Sequence, residues 1–98
     1  MSIRFSDPNI KTEYYRWLTT SHIQEVLKCE GFISAELMLE QGGSEGFVVR
    51  YLLASTAVFN AYNSSETADR LRKDAIDRFG DKFVATRRVL TAGDVFFR

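Results

Sequence analysis

Apolar residues follow two rhythms along this chain, one with a period of two and one near 3.6, and the changes of rhythm mark its elements. "SIRFS" alternates, with Ile3 and Phe5 on one side, and predicts a first strand. In "DPN", Asp7 can cap a helix and Pro8 suits the first helical position, where its missing N–H costs nothing. Ile10, Tyr14, Trp17 and Leu18 then recur at i, i+4, i+7 and i+8, a single apolar helix stripe. Beyond Leu18 the stripe fails. Ile23, Val26 and Leu27 fall nearly opposite on a wheel turning about 100° per residue. Ser21, followed three residues later by Gln24, is a capping-box pattern. It predicts that the first helix ends or kinks near Thr19–Thr20 and that a second, short helix runs from His22 to about Lys28. Gly31 supplies its stop.

"FISAELMLE" returns to alternation, with Ile33, Ala35, Leu37 and Leu39 on one face and Phe32, Ser34, Glu36, Met38 and Glu40 on the other. "QGGSEG" is turn material, and "FVVRYLL" is a strand of β-branched and aromatic residues, so the two runs predict a hairpin. Ser55 can cap the next helix, whose apolar stripe takes in Val58, Ala61, Tyr62, Ala68, Leu71, Ala75, Ile76 and Phe79. Asn63-Ser64-Ser65 can kink it, because short polar side chains compete for backbone hydrogen bonds. Gly80 ends it, "KFVATRRVLT" reads as the last strand, and "AGDVFFR" leaves Phe96 and Phe97 in need of cover. The order β-α-β-β-α-β, with two right-handed crossovers on one sheet, predicts a ferredoxin-like α+β sandwich. Its four-stranded antiparallel sheet would carry both helical segments on the same face.

Composition narrows the use of such a fold. Ninety-eight residues make one small domain, residues 1–98, and 45% hydrophobic content suffices for a core. A domain of this size leaves much apolar surface outside that core, so association would stabilise it. Thirteen basic and thirteen acidic residues cancel, with no basic run beyond Arg87-Arg88. Counterion release needs a clustered positive face, so nucleic acid is not expected as a partner. Cys29 is the only cysteine, which suits a reducing compartment. "MSIRFSDPN" has no apolar signal run, and no stretch reaches the roughly 18 residues of a membrane helix. The expectation is a soluble cytoplasmic protein without a membrane partner.

The sheet face away from the helices carries the sharpest expectation. Pairing Leu37 with Val49 sets Glu36 opposite Arg50, a cross-strand pair worth roughly 0.2–1 kcal/mol, and leaves a five-residue loop, Gln41 to Glu45. The outer face then holds Phe32, Ser34, Glu36 and Met38 beside Val48, Arg50 and Leu52, joined by either Arg87 or Arg88. A face half apolar and half charged calls for cover by another subunit or a ligand.

With the residues in this order the chain resembles the dimeric α+β barrel superfamily. More closely, it resembles a family of short bacterial proteins catalogued as a domain of unknown function. "WLTTSHIQEVL", "GFISAELML", "FVVRYLL" and "RFGDKFVATRRVL" carry the likeness, which spans Trp17 to Leu90; "SIRFS" is shorter than the family's first strand. The resemblance implies a homodimer in which two ferredoxin-like protomers pack sheet to sheet into an eight-stranded barrel. Superfamily relatives include small monooxygenases, lactone isomerases, dehydratases and haem-degrading enzymes, and others that only bind ligands. The closer family brings no catalytic residues to carry over.

Candidate chemistry is sparse. His22 has the right intrinsic pKa for proton transfer, and Glu25 lies three residues on, but no second histidine exists to build a metal site. His22 also has a structural role available, in the first turn of the short helix. Cys29 and Trp17 fall where packing explains them, and no serine sits in a G-x-S-x-G elbow. "GGSEG" joins two strands rather than opening a helix, so it is no phosphate cradle, and "RLRKDAIDR" is an ordinary solvated helix face. Tyr51 turns to the helix side in the preferred pairing. Glu36, Arg50 and Arg88 form the ligand-binding set, and His22 and Glu36 are the candidate catalytic residues. No metal or cofactor is expected. The leading function is ligand binding inside a homodimeric barrel, with a small organic molecule as the ligand. A cofactor-free isomerase or monooxygenase, and a purely structural or interaction module, are the alternatives.

Overall fold

The computed structural model describes residues 1–41 and 46–98. It is an α+β structure in which a four-stranded antiparallel sheet is covered on one face by helices. Strand β1 (Ser2–Phe5) lies beside β3 (Phe47–Leu53) and β4 (Phe83–Thr86), and β2 (Phe32–Leu39) pairs with β3, giving the order β2-β3-β1-β4. The sheet is open, with β2 and β4 at its edges. Among the described residues no helix is long and apolar enough to cross a membrane.

The opening turn forms as the residues predict. The Asp7 carboxylate accepts from the Asn9 N–H at 2.9 Å, and Pro8 opens a short 3-10 turn, Pro8–Ile10. Helix α1 (Lys11–Trp17) follows and buries Tyr14 and Trp17. The break in the apolar stripe is real, but no capping box makes it. The chain continues through a π turn, Leu18–His22, directly into α2 (Ile23–Leu27). The wider turn resets the helical phase, so Ile23 and Val26 face the core that a continuous α-helix would have turned them from. Thr19 Oγ1 donates to the Tyr15 carbonyl at 2.9 Å and Thr20 Oγ1 to that of Arg16 at 2.6 Å, competing with the regular ladder. Gln24 Nε2 donates to the Thr19 carbonyl at 3.2 Å rather than closing a box with Ser21.

The hairpin has the predicted register, with Leu37 opposite Val49 and Glu36 opposite Arg50. Four residues of its expected loop, 42–45, lie outside the described residues. One expectation at the start of β2 fails. A register shift between Phe32 and Ser34 turns Phe32 to the helix side, where its ring meets Tyr51 and Tyr62 edge to face at 5.8 and 5.0 Å. Ile33 is left 61% exposed. An extra residue in a strand reverses the sides of everything before it. Just upstream, Gly31 has φ +85° and lies against Val58, leaving no room for a Cβ.

Ser55 caps α3 (Thr56–Asn63), and Ser65 caps α4 (Glu66–Phe79) by accepting from the Ala68 N–H at 3.1 Å. The predicted kink at Asn63–Ser65 is thus a full break, with Ser64 and Ser65 hydroxyls donating back to α3 carbonyls. The core joins Ile3, Phe47 and Val49 of the sheet to Ile10, Tyr14, Trp17, Leu18, Ala75 and Phe79. Tyr14 is its centre, with the rings of Phe5, Trp17, Phe79 and Phe83 all within 5.3 Å of its own, centroid to centroid.

The last strand is shorter than expected. Pairing with β1 stops at Thr86, and residues 87–98 have no regular structure. Phe96 and Phe97 are 88% and 90% exposed. The radius of gyration, 14.4 Å, exceeds the ~13 Å of a compact domain this long, as an outstanding tail requires.

Candidate functional site

The sheet divides the candidate residues between its two faces. On the outer face Arg50 Nη2 donates to Glu36 Oε1 at 2.8 Å, and both side chains remain more than half exposed. Arg4 of β1 reaches Glu40 at 3.3 Å. Around these charges lie Met38 and Val48, both half-buried, with Leu52 and Val84, each 56% exposed. Register does not choose between Arg87 and Arg88. Ile3 pairs with Ala85 and Ser2 with Thr86, but the pairing ends there, and Arg87 and Arg88 both lie exposed beyond the strand. Glu36 and Arg50 share the outer face, directly opposite one another.

His22 lies on the other face, so it cannot share a reaction centre with Glu36 through the sheet. Its ring rests on Trp17, centroids 4.6 Å apart and planes at 31°. Trp17 Nε1 donates to Asp74 Oδ2 at 3.3 Å, and Asp74 Oδ1 accepts from Arg78 Nε at 3.0 Å. Burial holds the His22 pKa down to about 4, the positive charge of Arg87 acting in the same direction and Asp74 against it. At neutral pH the imidazole is uncharged. Its Nδ1 is buried with no hydrogen-bond partner among the described residues.

The same is true of Tyr51 Oη, which lies on the helix side as the pairing predicts. Burial raises its pKa, with Tyr62 and Tyr14 adding to the effect and Arg87 opposing it. Tyr62 is also raised by burial and also feels Arg87. Sequence reasoning counts Tyr51 and Arg87 among the candidates for a polar cluster but does not anticipate that the Arg87 charge is also felt by His22 and Tyr62. Strand alternation could not find it, because β4 ends at Thr86, one residue before Arg87.

The remaining candidates have local duties. The Cys29 Sγ lies 3.8 Å from the Glu25 carbonyl, and burial pushes its thiol above the ordinary pKa, away from a reactive thiolate. Glu25 is occupied by Lys28 at 3.2 Å and Arg70 at 3.7 Å. Among the described residues no three His, Cys, Asp or Glu side chains are grouped to hold a metal ion. Two shallow surface hollows, of about 430 and 470 Å³, lie over Trp17 and Phe79 and over Tyr15 and Phe47, away from Glu36 and Arg50.

A family model for a domain of unknown function, DUF4286, matches residues 5–92. The chain belongs to the DUF4286 family. The match takes in β2, β3 and β4 whole and, of β1, only Phe5. A search of the curated proteins found no match to this chain.

Proposed function

We propose that this DUF4286 protein is a ferredoxin-like module that works as a homodimer, two outer faces closing into an α+β barrel around a small organic ligand. The observation that carries the reading is the outer face itself. Leu52, Val84, Met38 and Val48 present an apolar surface, yet it is crossed by a charge pair, Glu36–Arg50. Such a face is self-complementary. A two-fold axis passing between the pair would set each carboxylate against the partner's guanidinium, whereas a purely apolar partner would strand both charges. The exposed Val89, Leu90, Val95, Phe96 and Phe97 find no cover on their own body, and they add apolar area beside the edge strand β4. Four short strands alone offer less than the ~800 Å² per partner of a standard interface, so the tail would contribute. Glu36, Arg50 and Arg88 would line the enclosed space and orient the ligand.

Sedimentation equilibrium at micromolar concentration tests the association. A dimer is expected, with Leu52→Glu reducing it to a folded monomer. A wild-type chain that stays monomeric overturns the reading. Native mass spectrometry of the purified dimer then tests the ligand, which should leave on Arg50→Gln substitution.

A further inference from the structure

We propose that the hollow between α1, the π turn and the end of α4 binds a small amino acid as its zwitterion, with Arg16 and Arg78 taking the carboxylate and Glu13 the ammonium group. The hollow, of about 430 Å³, falls in the size range of small-molecule sites. It lies among the helices, away from Glu36 and Arg50, so it does not depend on the proposed dimer. Trp17 and Phe79 form its floor, their rings edge to face at 5.5 Å. Asp74 fixes two of the lining groups at once. Its Oδ2 accepts from Trp17 Nε1 at 3.3 Å and its Oδ1 from Arg78 Nε at 3.0 Å, which leaves the Nη groups of Arg78 for a ligand. Glu13 and Arg16 also line the hollow, and neither enters an ion pair among the described residues.

The lining selects the ligand because it carries both signs of charge. Two guanidiniums attract a carboxylate and can each grip its two oxygens together. A simple anion would also meet the Glu13 carboxylate and the C-terminal end of α4, which stops at Phe79 and carries partial negative charge. A simple cation would meet the two arginines. A molecule with a carboxylate and an ammonium group on one carbon answers both. The Thr20 hydroxyl already donates to the Arg16 carbonyl at 2.6 Å, so its oxygen is left to accept a hydrogen from the ammonium group. Thr20 and Ser21 come from the π turn, a kind of irregularity often found at functional sites. An apolar side chain on the amino acid would cover Trp17 and Phe79.

Trp17 is the only tryptophan and lines the hollow, so its fluorescence reports directly on the site. L-Valine is the probe, with 3-methylbutanoate as the same acid lacking the ammonium group. Valine should change the emission saturably, with a Kd near about 1 mM, and 3-methylbutanoate should bind about tenfold more weakly. Arg16→Gln should weaken both ligands by about tenfold or more. Glu13→Gln should erase the preference for valine by weakening valine alone. Glu13 and Arg16 are exposed, so both variants should unfold with the wild-type Tm. Arg50→Gln, on the outer face, should leave valine binding unchanged. No saturation up to about 20 mM, equal affinity of the wild type for the two ligands, or unaltered binding by Arg16→Gln would each overturn the proposal. So would a Glu13→Gln protein that keeps the preference, or a loss of valine on Arg50→Gln substitution.

Discussion

The two faces of the sheet are built from alternate residues of the same strands, yet they use their side chains differently. On the helix side the rings cluster around Tyr14. Tyr14 alone meets four others, and Ile3, Leu18 and Val49 are fully enclosed. Polar groups are few there and kept neutral, as with His22 and Tyr51. On the outer side apolar groups are scattered among charges, and the charges pair across strands instead of being excluded. The first arrangement stabilises one chain by itself. The second has no cover from its own chain, and in the proposed homodimer its energetic value would depend on the partner.

Truncation separates the two most sharply. Tyr14→Ala removes a ring from a place with no room to collapse, and should cost about 3–5 kcal/mol in urea unfolding. Leu52→Ala, on the outer face, should cost no more than about 0.5 kcal/mol at concentrations where the chain is a monomer. Similar losses at the two positions would abolish the distinction between a packed face and an open one.

Acid probes the helix side through one residue. The folded-state pKa of His22, about 4, is below the 6.5 of an unfolded chain. The unfolded protein therefore takes up a proton that the folded one refuses. Stability is complete above pH 6.5, falls as the pH drops from about 6.5 to about 4, and loses nothing further from this residue below that. The difference corresponds to at most about 3 kcal/mol, and less to the extent that the ring keeps some contact with water. Measured against His22→Gln across that range, the wild type should lose more. Parallel curves would mean that the imidazole protonates freely and is not held in the core.

Much of this contrast is legible in the amino-acid pattern alone. The hairpin register follows from alternation, because sliding β2 by one residue would put Glu36 in the core and Leu37 in water. Alternation sends Tyr51 to the correct side for the same reason. The phase break after Leu18 is also legible, but its cause is not. A cap and a π turn leave the same gap in an apolar stripe, and only backbone geometry tells them apart. Alternation puts Phe32 on the wrong face because nothing in "GFISAEL" announces an extra residue; the shift at Ile33 follows from packing against Tyr62, which is remote in sequence. Arg87 and Arg88 escape the alternation because β4 stops before them. "KFVATRRVLT" has strand-like composition throughout, yet pairing ends where β1 begins, at the Ser2–Thr86 pair. Glu36 and Arg50 are therefore visible as residue types, while their separation from His22 by the thickness of a sheet is a fact of topology.

The smallest expected effect is the most discriminating one. A solvated Glu36–Arg50 pair should show a coupling of only about 0.2–1 kcal/mol in a cycle of Glu36→Gln, Arg50→Gln and the double variant. Solvent screens the attraction, and two long side chains lose entropy in holding one geometry. Covered by a second chain, the same 2.8 Å contact would sit in a lower dielectric, and each single variant would strand a charge. Close interfacial pairs then reach coupling energies of about 1.5 kcal/mol and above. The cycle should be run in urea at two protein concentrations differing by about a hundredfold, since association stabilises by mass action. A coupling that grows with concentration would mean that the pair is shared between copies. A coupling that stays below about 1 kcal/mol at both would mean that the outer face remains wet, and that its apolar residues are ordinary exposed surface with no twin to meet.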